Sequence, residues 1–319
     1  MGTPEFAENI FRKTAPELKS RDFEVISVIT APDKPVGRKQ VLTPSPVKKW
    51  ALEANFEVLE PDRIRNPEWV AKIRDLVPNL IVLTAYGQII PQEILDIPKY
   101  KALNIHPSLL PKYRGASPIQ SVILNGDTET GVCLMIMDAE MDHGPIIQSS
   151  KIKVQSPKIT FKELSKQLSD AGADLLIKTL PNYIDGKIKP QEQDHAQATL
   201  CKLIKKEDGK IDWNKSAEEI ERQIRAFQEW PESYTDFNGK ILKIIEADIE
   251  IPSNTPLDIP SEIPSNTPGK VFLTDNHNLA VQTGNGILIL KQLQLEGKNP
   301  MSAHDFLNGH KEIVGTILK

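Results

Sequence analysis

The sequence predicts an α/β protein in two parts: a mostly parallel, doubly wound sheet domain, then a small antiparallel β-barrel. Three observations carry this expectation. Apolar, β-rich runs alternate with amphipathic helical stretches through the first half, and beyond a polar stretch short strands crowd between turn residues. The chain of 319 residues also exceeds the roughly 250–300 at which one hydrophobic core stops growing. The expected boundaries are a first domain over 1–185, a linker over 186–200 and a second domain over 201–319.

In chain order, Gly2-Thr3-Pro4 reads as a loop and residues 5–18 as the helix after it. A doubly wound sheet normally feeds such a loop from an apolar strand, and only Met1 precedes it in this sequence. The first strand is therefore expected to be missing. Either the chain starts a few residues late, which is the favoured expectation, or the sheet lacks that strand and its neighbours lose hydrogen bonds. Residues 23–30 (FEVISVIT) and 80–84 (LIVLT) read as strands bounded by turn residues. Between them, 45–55 reads as a helix entered through Pro46, and 67–77 as another. Strands are expected over 102–105, 130–137 and 146–153. A long helix over 160–185 follows, apolar at Phe161, Leu164, Leu168, Leu175, Leu176 and Leu180. In such sheets ligands bind beyond the carboxyl ends of strands.

Residues 186–200 (GKIKPQEQDHAQATL) are polar and aperiodic, which suits a linker. Residues 216–227 then read as a helix, and strands are expected over 240–249, 269–273, 279–283 and 286–295. Turns such as Asn238-Gly239 and Gly284-Asn285-Gly286 separate them. The hexapeptide IPSNTP occurs at 251–256 and again at 263–268. Five prolines within 251–268 mark this stretch as a mobile surface insertion, to which no function is assigned.

Composition narrows the class. Hydrophobic content of 39% and charged content of 26% are those of an ordinary soluble protein. No apolar run approaches the roughly 18 residues of a membrane helix, and the start lacks the basic flank and apolar stretch of a signal peptide. Cys133 and Cys201 are too few for a disulfide framework or a zinc site and read as thiols in a reducing compartment. A cytoplasmic enzyme without a metal is expected. The net charge is −4, and residues 201–319 carry 14 Lys and Arg against 18 Asp and Glu. A nucleic-acid partner must then be met by a local basic surface.

The densest chemistry lies in residues 103–115, LNIHPSLLPKYRG. Asn104 and His106 alternate with Ile105, so on an extended strand both project to one side. An amide and an imidazole side by side polarise a carbonyl oxygen while one of them handles a proton. Asp142, within MDAEMDHG after another apolar strand, is expected at the same end of the sheet. A carboxylate there orients His106 and holds a relaying water. The pattern suits acyl transfer without a covalent intermediate. A strand-end amide, a loop imidazole and a solvated carboxylate are the plainer alternatives, and spacing alone does not specify formyl transfer.

Asn104-x-His106 followed by Pro107-Ser108-Leu109-Leu110-Pro111, with Asp142-x-Gly144 downstream, resembles the 10-formyltetrahydrofolate-dependent formyltransferases. Within that superfamily, the methionyl-tRNA formyltransferases are resembled by Gly2-Thr3-Pro4-Glu5-Phe6-Ala7 and Pro32-Asp33-Lys34-Pro35-x-Gly37-Arg38. Ala85-Tyr86-Gly87-Gln88-Ile89-Ile90-Pro91, Arg114-Gly115-Ala116-Ser117-Pro118-Ile119-Gln120, Ile211-Asp212-Trp213 and Arg225-Ala226-Phe227 add to the likeness. The resemblance implies a Rossmann-like catalytic domain and an OB-like second domain, with Asn104, His106 and Asp142 as the catalytic trio. It implies 10-formyltetrahydrofolate as formyl donor, lying against Tyr86, Gly87, Gln88 and Ile89, the loop Ser108, Leu109, Leu110 and Pro111, and Asp138. It implies methionyl-initiator tRNA as acceptor, met by Lys34, Arg38 and Lys39 and by Lys202, Lys205, Lys206 and Lys210, and a monomer. Two alternatives stay open here: a formyltransferase acting on a nucleotide-sugar amine or a purine precursor, and an inactive, truncated tRNA-binding form.

Overall fold

The computed structural model describes residues 1–37, 39–250 and 267–319. They form two compact units. The first comprises residues 1–118, 128–154 and 163–202, and the second comprises 119–127, 155–162 and 203–319. The stretch 186–200, expected as a linker, falls within the first unit.

The first unit opens with α1 (Glu5–Lys19), which buries Phe6, Ala7, Ile10, Phe11 and Leu18 at helical spacing. There follow β1 (Val28–Ile29), β2 (Lys34–Val36), β3 (Val41–Thr43), α2 (Pro46–Glu53), β4 (Val58–Leu59), α3 (Pro67–Asp75), β5 (Ile81–Leu83), α4 (Gln92–Leu95), β6 (Ala102–His106) and β7 (Arg114–Gly115). After α5 (Pro118–Asn125), nearly all of which belongs to the second unit, come β8 (Glu129–Ile136), β9 (Ile146–Lys153), α6 (Phe161–Ile184) and β10 (Leu200–Cys201). Helix α2 starts where Ser45 caps it, its hydroxyl accepting from Lys48 N at 3.0 Å, with Pro46 in the first turn.

The main sheet runs in two pieces. β1 pairs with β4 in parallel, and a four-stranded piece runs β5-β6-β8-β9, parallel at β5–β6 and antiparallel beyond. Between the pieces, Gly2 N donates to Ile29 O at 3.1 Å, and Thr84 N donates to Met1 O at 3.0 Å. The Met1 amine donates to Val82 O at 2.6 Å, and burial pushes it down to about 5. Gly2 is squeezed there: a Cβ would stand 2.6 Å from Ala7 Cβ and 2.9 Å from Thr84 O. The expected strand over 23–30 is cut to Val28–Ile29. Its earlier residues find no ladder partner, and Val25 and Ile26 are exposed.

Strand β6 is fully buried along its length. Gly172 of α6 lets the helix close on it, since a Cβ there would meet Ile105 Cγ2 at 3.0 Å. Strands β2 and β3 pair antiparallel, Lys34 with Thr43 and Val36 with Val41. Pro35 is tolerated because this two-stranded ribbon is all edge.

The second unit contains α7 (Ala217–Ala226), β11 (Ser233–Phe237), β12 (Lys240–Glu250), β13 (Val271–Leu273), β14 (Leu279–Gln282), β15 (Ile287–Leu295), β16 (Met301–Ser302) and α8 (Ala303–Gly309). A reciprocal cap starts α7, Ser216 and Glu219 each accepting from the other's backbone. The curled antiparallel sheet runs β11-β12-β15-β14-β13, with β16 on β15. Ile220, Ile224, Phe237, Leu242, Leu288, Leu290 and Phe306 fill its inside with Trp213. The gap between its two ends is spanned by the last residues. Val271 N donates to Thr316 O at 2.9 Å on one side, and Asp236 N to Lys319 O at 2.8 Å on the other. Of the insertion at 251–268, residues 251–266 lie outside the described residues.

Candidate functional site

The carboxyl end of β5 and the adjoining end of β6 set the site. Leu83 is in register with Asn104, so the loop 85–91 leaves β5 beside the two polar residues of β6. Asn104 and His106 are both buried, two positions apart on the strand, and reach the same group. Asn104 Nδ2 donates to Asp142 Oδ1 at 3.2 Å, and His106 Nδ1 lies 3.5 Å from that oxygen. The other carboxylate oxygen, Oδ2, accepts from Gly115 N at 2.8 Å. Three residues expected together from strand parity and loop position therefore converge on one carboxylate.

The ring of His106 is oriented from its far side. Its Nε2 lies 2.9 Å from Tyr113 O, and a carbonyl only accepts, so Nε2 carries hydrogen in either charge state. Proton exchange is thereby confined to Nδ1. Nδ1 and Asp142 Oδ1 face each other as two acceptors when the ring is neutral and the carboxyl ionised. The pair is satisfied by a donor that reaches both atoms. A bound N–H or O–H group is such a donor.

Asp142 holds a left-handed backbone, φ 50°. A non-glycine residue there costs about 1–2 kcal/mol and persists where surrounding contacts over-determine it. Gly144, two residues on, sits so close to β8 that a Cβ would stand 2.1 Å from Ile136 O. On the same loop, Asp138 Oδ2 lies 2.7 Å from His143 Nδ1 and Oδ1 accepts from Glu140 N at 3.0 Å. The His143 ring stacks on His195, centroids 4.1 Å apart with the planes within 3°.

Apart from Asp138, the residues expected to cradle the donor fall on two loops. On 85–91, the Tyr86 ring belongs to the core, its hydroxyl buried with no hydrogen-bond partner among the described residues, and burial pushes that hydroxyl far up. Tyr86 thus offers backbone, not side chain, to a ligand. Gly87 takes φ 85° with open space beside it. Gln88 ties this loop to its neighbour, accepting from Ile64 N at 2.9 Å and donating to Pro61 O at 3.0 Å, while Ile89 is 85% exposed. Arg63, Arg65, Gln88 and Ile89 line a cavity of about 340 Å³. On the second loop, Ser108 Oγ donates to Lys112 O at 2.6 Å, and Leu110 packs with Cys133 and Met135. Leu109 packs over Gly131, and Pro111 O accepts from Thr199 N at 3.2 Å.

Lys34 and Lys39 are exposed around the β2–β3 hairpin, and Arg38 lies outside the described residues. Lys202, Lys205, Lys206 and Lys210 are exposed on and beyond the chain that follows β10. The residues that the sequence did not single out are Tyr113 and Gly115, which act through backbone atoms, and the buried Gln193 and Arg114, whose signal was only a polar residue in an aperiodic stretch and an Arg-Gly pair. Among the described residues no cluster of three His, Cys, Asp or Glu side chains is arranged for a metal ion, and no helix is long and apolar enough to cross a membrane.

Comparison with known proteins gives matches over both units. Residues 1–180 match the family described as Formyl transferase, and residues 203–311 match Formyl transferase, C-terminal domain. A methionyl-tRNA formyltransferase of Caldicellulosiruptor saccharolyticus is 43% identical over 319 residues, covering all of this chain and 98% of the relative. One of Geobacter sulfurreducens is 40% identical over 318 residues, covering 100% of this chain and 95% of the relative. Among solved structures, an N-formyltransferase from Helicobacter canadensis in complex with folinic acid and dTDP-3-aminofucose superposes with a TM-score of 0.62. It is 21% identical, over 92% of this chain and 97% of the other. HypX from Aquifex aeolicus in complex with tetrahydrofolic acid gives 0.58 at 18% identity, over 82% of this chain and 44% of that one.

Proposed function

The chain belongs to the formyl transferase family, and on that premise we propose that it moves a formyl group from 10-formyltetrahydrofolate to the α-amino group of methionine on initiator tRNA. The acceptor is carried by relatives that match along the whole chain; the chemistry is carried by one observation, the convergence of Asn104 and His106 on Asp142 Oδ1.

The amine must be neutral to attack, and an α-amino pKa of about 8 makes that form available near neutrality. Its nitrogen bonds to the formyl carbon, and the carbonyl electron pair moves onto oxygen. The free hydrogen of Asn104 Nδ2 stabilises that oxyanion, as does His106 Nδ1 when protonated; loss of one such donor costs about 3 kcal/mol of barrier. The amine sheds one proton, and the departing N10 of the folate takes one as its bond to carbon breaks. Asp142 and His106 Nδ1 are the pair through which that proton passes, directly or by one water. Because Nε2 is committed to Tyr113 O, the relay uses a single ring nitrogen.

The donor's ring lies against the backbone of 85–91 and the loop 108–111, flanked by the Asp138 segment, with Arg63 and Arg65 at the cavity beside Ile89 favouring its anionic end. Lys34, Arg38, Lys39, Lys202, Lys205, Lys206 and Lys210 supply phosphate contacts to the tRNA. The protein works as a monomer in the cytoplasm.

The test is incubation of purified protein with 10-formyltetrahydrofolate and methionyl-tRNA, with free methionine and a dTDP-aminosugar as competing acceptors. N-formylmethionyl-tRNA is the expected product; formylation of the aminosugar alone defeats the reading. Asp142→Asn should lower kcat by about 10²–10⁴-fold while tRNA binding persists.

A further inference from the structure

Residues 186–200 carry the least patterned sequence of the first unit, yet they run as a strap over the catalytic loop. Gln191 exchanges both backbone hydrogen bonds with Ile146 at 2.8 Å, and Leu200–Cys201 pair with Arg114–Gly115. At the centre of the strap, Gln193 is only 5% exposed.

The amide of Gln193 is fully used. Its Nε2 donates to Asp142 O at 2.9 Å and to Gly144 O at 2.8 Å. Its Oε1 accepts from Arg114 Nε at 3.1 Å and from Arg114 Nη2 at 2.7 Å. Chemistry fixes this orientation: carbonyls only accept and a guanidinium only donates, so the amide cannot be turned over. Arg114 is itself buried and gives a further bond to His195 Nδ1 at 2.8 Å. The next residue, Gly115, holds the Asp142 carboxylate through its N–H. Of the two carbonyls that Gln193 grips, one belongs to the left-handed Asp142 itself and the other lies two residues on.

From this we infer that Gln193 is a positioning residue for formyl transfer, fixing the aim of Asp142 by clamping the carbonyls of residues 142 and 144 to Arg114. The inference rests on the role given above to Asp142. It acts through geometry and touches neither substrate.

Gln193→Glu is the informative variant, because its carboxylate still takes Arg114 but has no hydrogens for the two carbonyls and repels them. It should keep a cooperative thermal transition, with kcat for methionyl-tRNA lowered about 10- to 100-fold and both KM values within threefold. Gln193→Met, which keeps the length and drops every hydrogen bond, should show the same split. In an Asp142→Asn background, Gln193→Glu should add less than a threefold further loss, since the clamp then aims a group that no longer works. Wild-type kcat in Gln193→Glu or Gln193→Met, or a full additive loss in the double variant, overturns the inference. Amide exchange over residues 138–144 separates this inference from the proposed activity. Faster exchange in Gln193→Glu upholds the clamp even where the wild type fails to formylate methionyl-tRNA, and unchanged exchange removes it even where the wild type succeeds.

Discussion

Gly144→Ala is a test of how closely the loop of Asp142 is set. The added Cβ would lie 2.1 Å from Ile136 O, 3.2 Å from its carbonyl carbon and 3.5 Å from Asp138 Cγ. Real Cβ contacts essentially never fall below 3.0 Å, so the loop must retreat by about 0.9 Å. The obstacle is strand backbone, which cannot swing aside as a side chain does. Asp142, two residues away, travels with the loop and loses its aim at Asn104 and His106. A misplacement of about 1 Å costs on the order of 10²-fold in rate, or about 2.7 kcal/mol of barrier. Overpacking should also destabilise the fold by about 1–3 kcal/mol. The assay is single-turnover formylation of methionyl-tRNA at saturating donor, alongside a denaturant titration that reports the folded fraction. Gly309→Ala is the control, because nothing lies within 4 Å of its built Cβ; it should turn over normally. A Gly144→Ala enzyme with the wild-type rate would show that Asp142 needs no close setting.

Three further outcomes are expected. Replacing Lys34 and Lys39 together by Ala should reduce the slope of log KM for tRNA against log salt by about 2, one per phosphate contact; an unchanged slope excludes both as contacts. Burial holds the Cys133 thiol above its ordinary range, so the unfolded chain ionises first and stability falls as pH rises past about 9. Denaturant midpoints at pH 7 and 9.5 should therefore differ less in Cys133→Ala than in wild type, and equal differences would refute the assignment. Arg225 makes two bonds to Glu221, at 2.7 and 2.8 Å, with both side chains nearly buried. Glu221→Ala should cost about 3–5 kcal/mol in urea unfolding, and a cost below 1 would show the pair to be idle.

Much of the first unit was legible because its elements are local and periodic. Helices over 5–18, 45–55 and 67–77 and strands over 102–105 and 130–137 declared themselves through apolar spacing and proline entry. Residues 23–30 were misjudged for a non-local reason, since a strand exists only where a neighbour supplies a ladder. The hairpin of β2 and β3 was hidden by Pro35 and Gly37, which forbid a central strand but not an edge ribbon. β11, SYTDF, has too few apolar residues to stand out, and the 303–309 helix is too short. In the site, the parity of Asn104 and His106 and the loop position of Asp142 could be read directly. The grip of Gly115 N, Tyr113 O and Gln193 could not, because it joins residues from 7 to 51 positions apart through main-chain atoms.

The span formed by residues 315–319 in the second unit carries a cost if it is loosened. It occupies the hydrogen-bonding edges of Val271 and Asp236, both of which would otherwise face solvent as open templates. Fraying or clipping there would turn two silent edges adhesive and draw the buried Leu318 out of the apolar filling, so self-association between copies and a fall in melting temperature would arrive together.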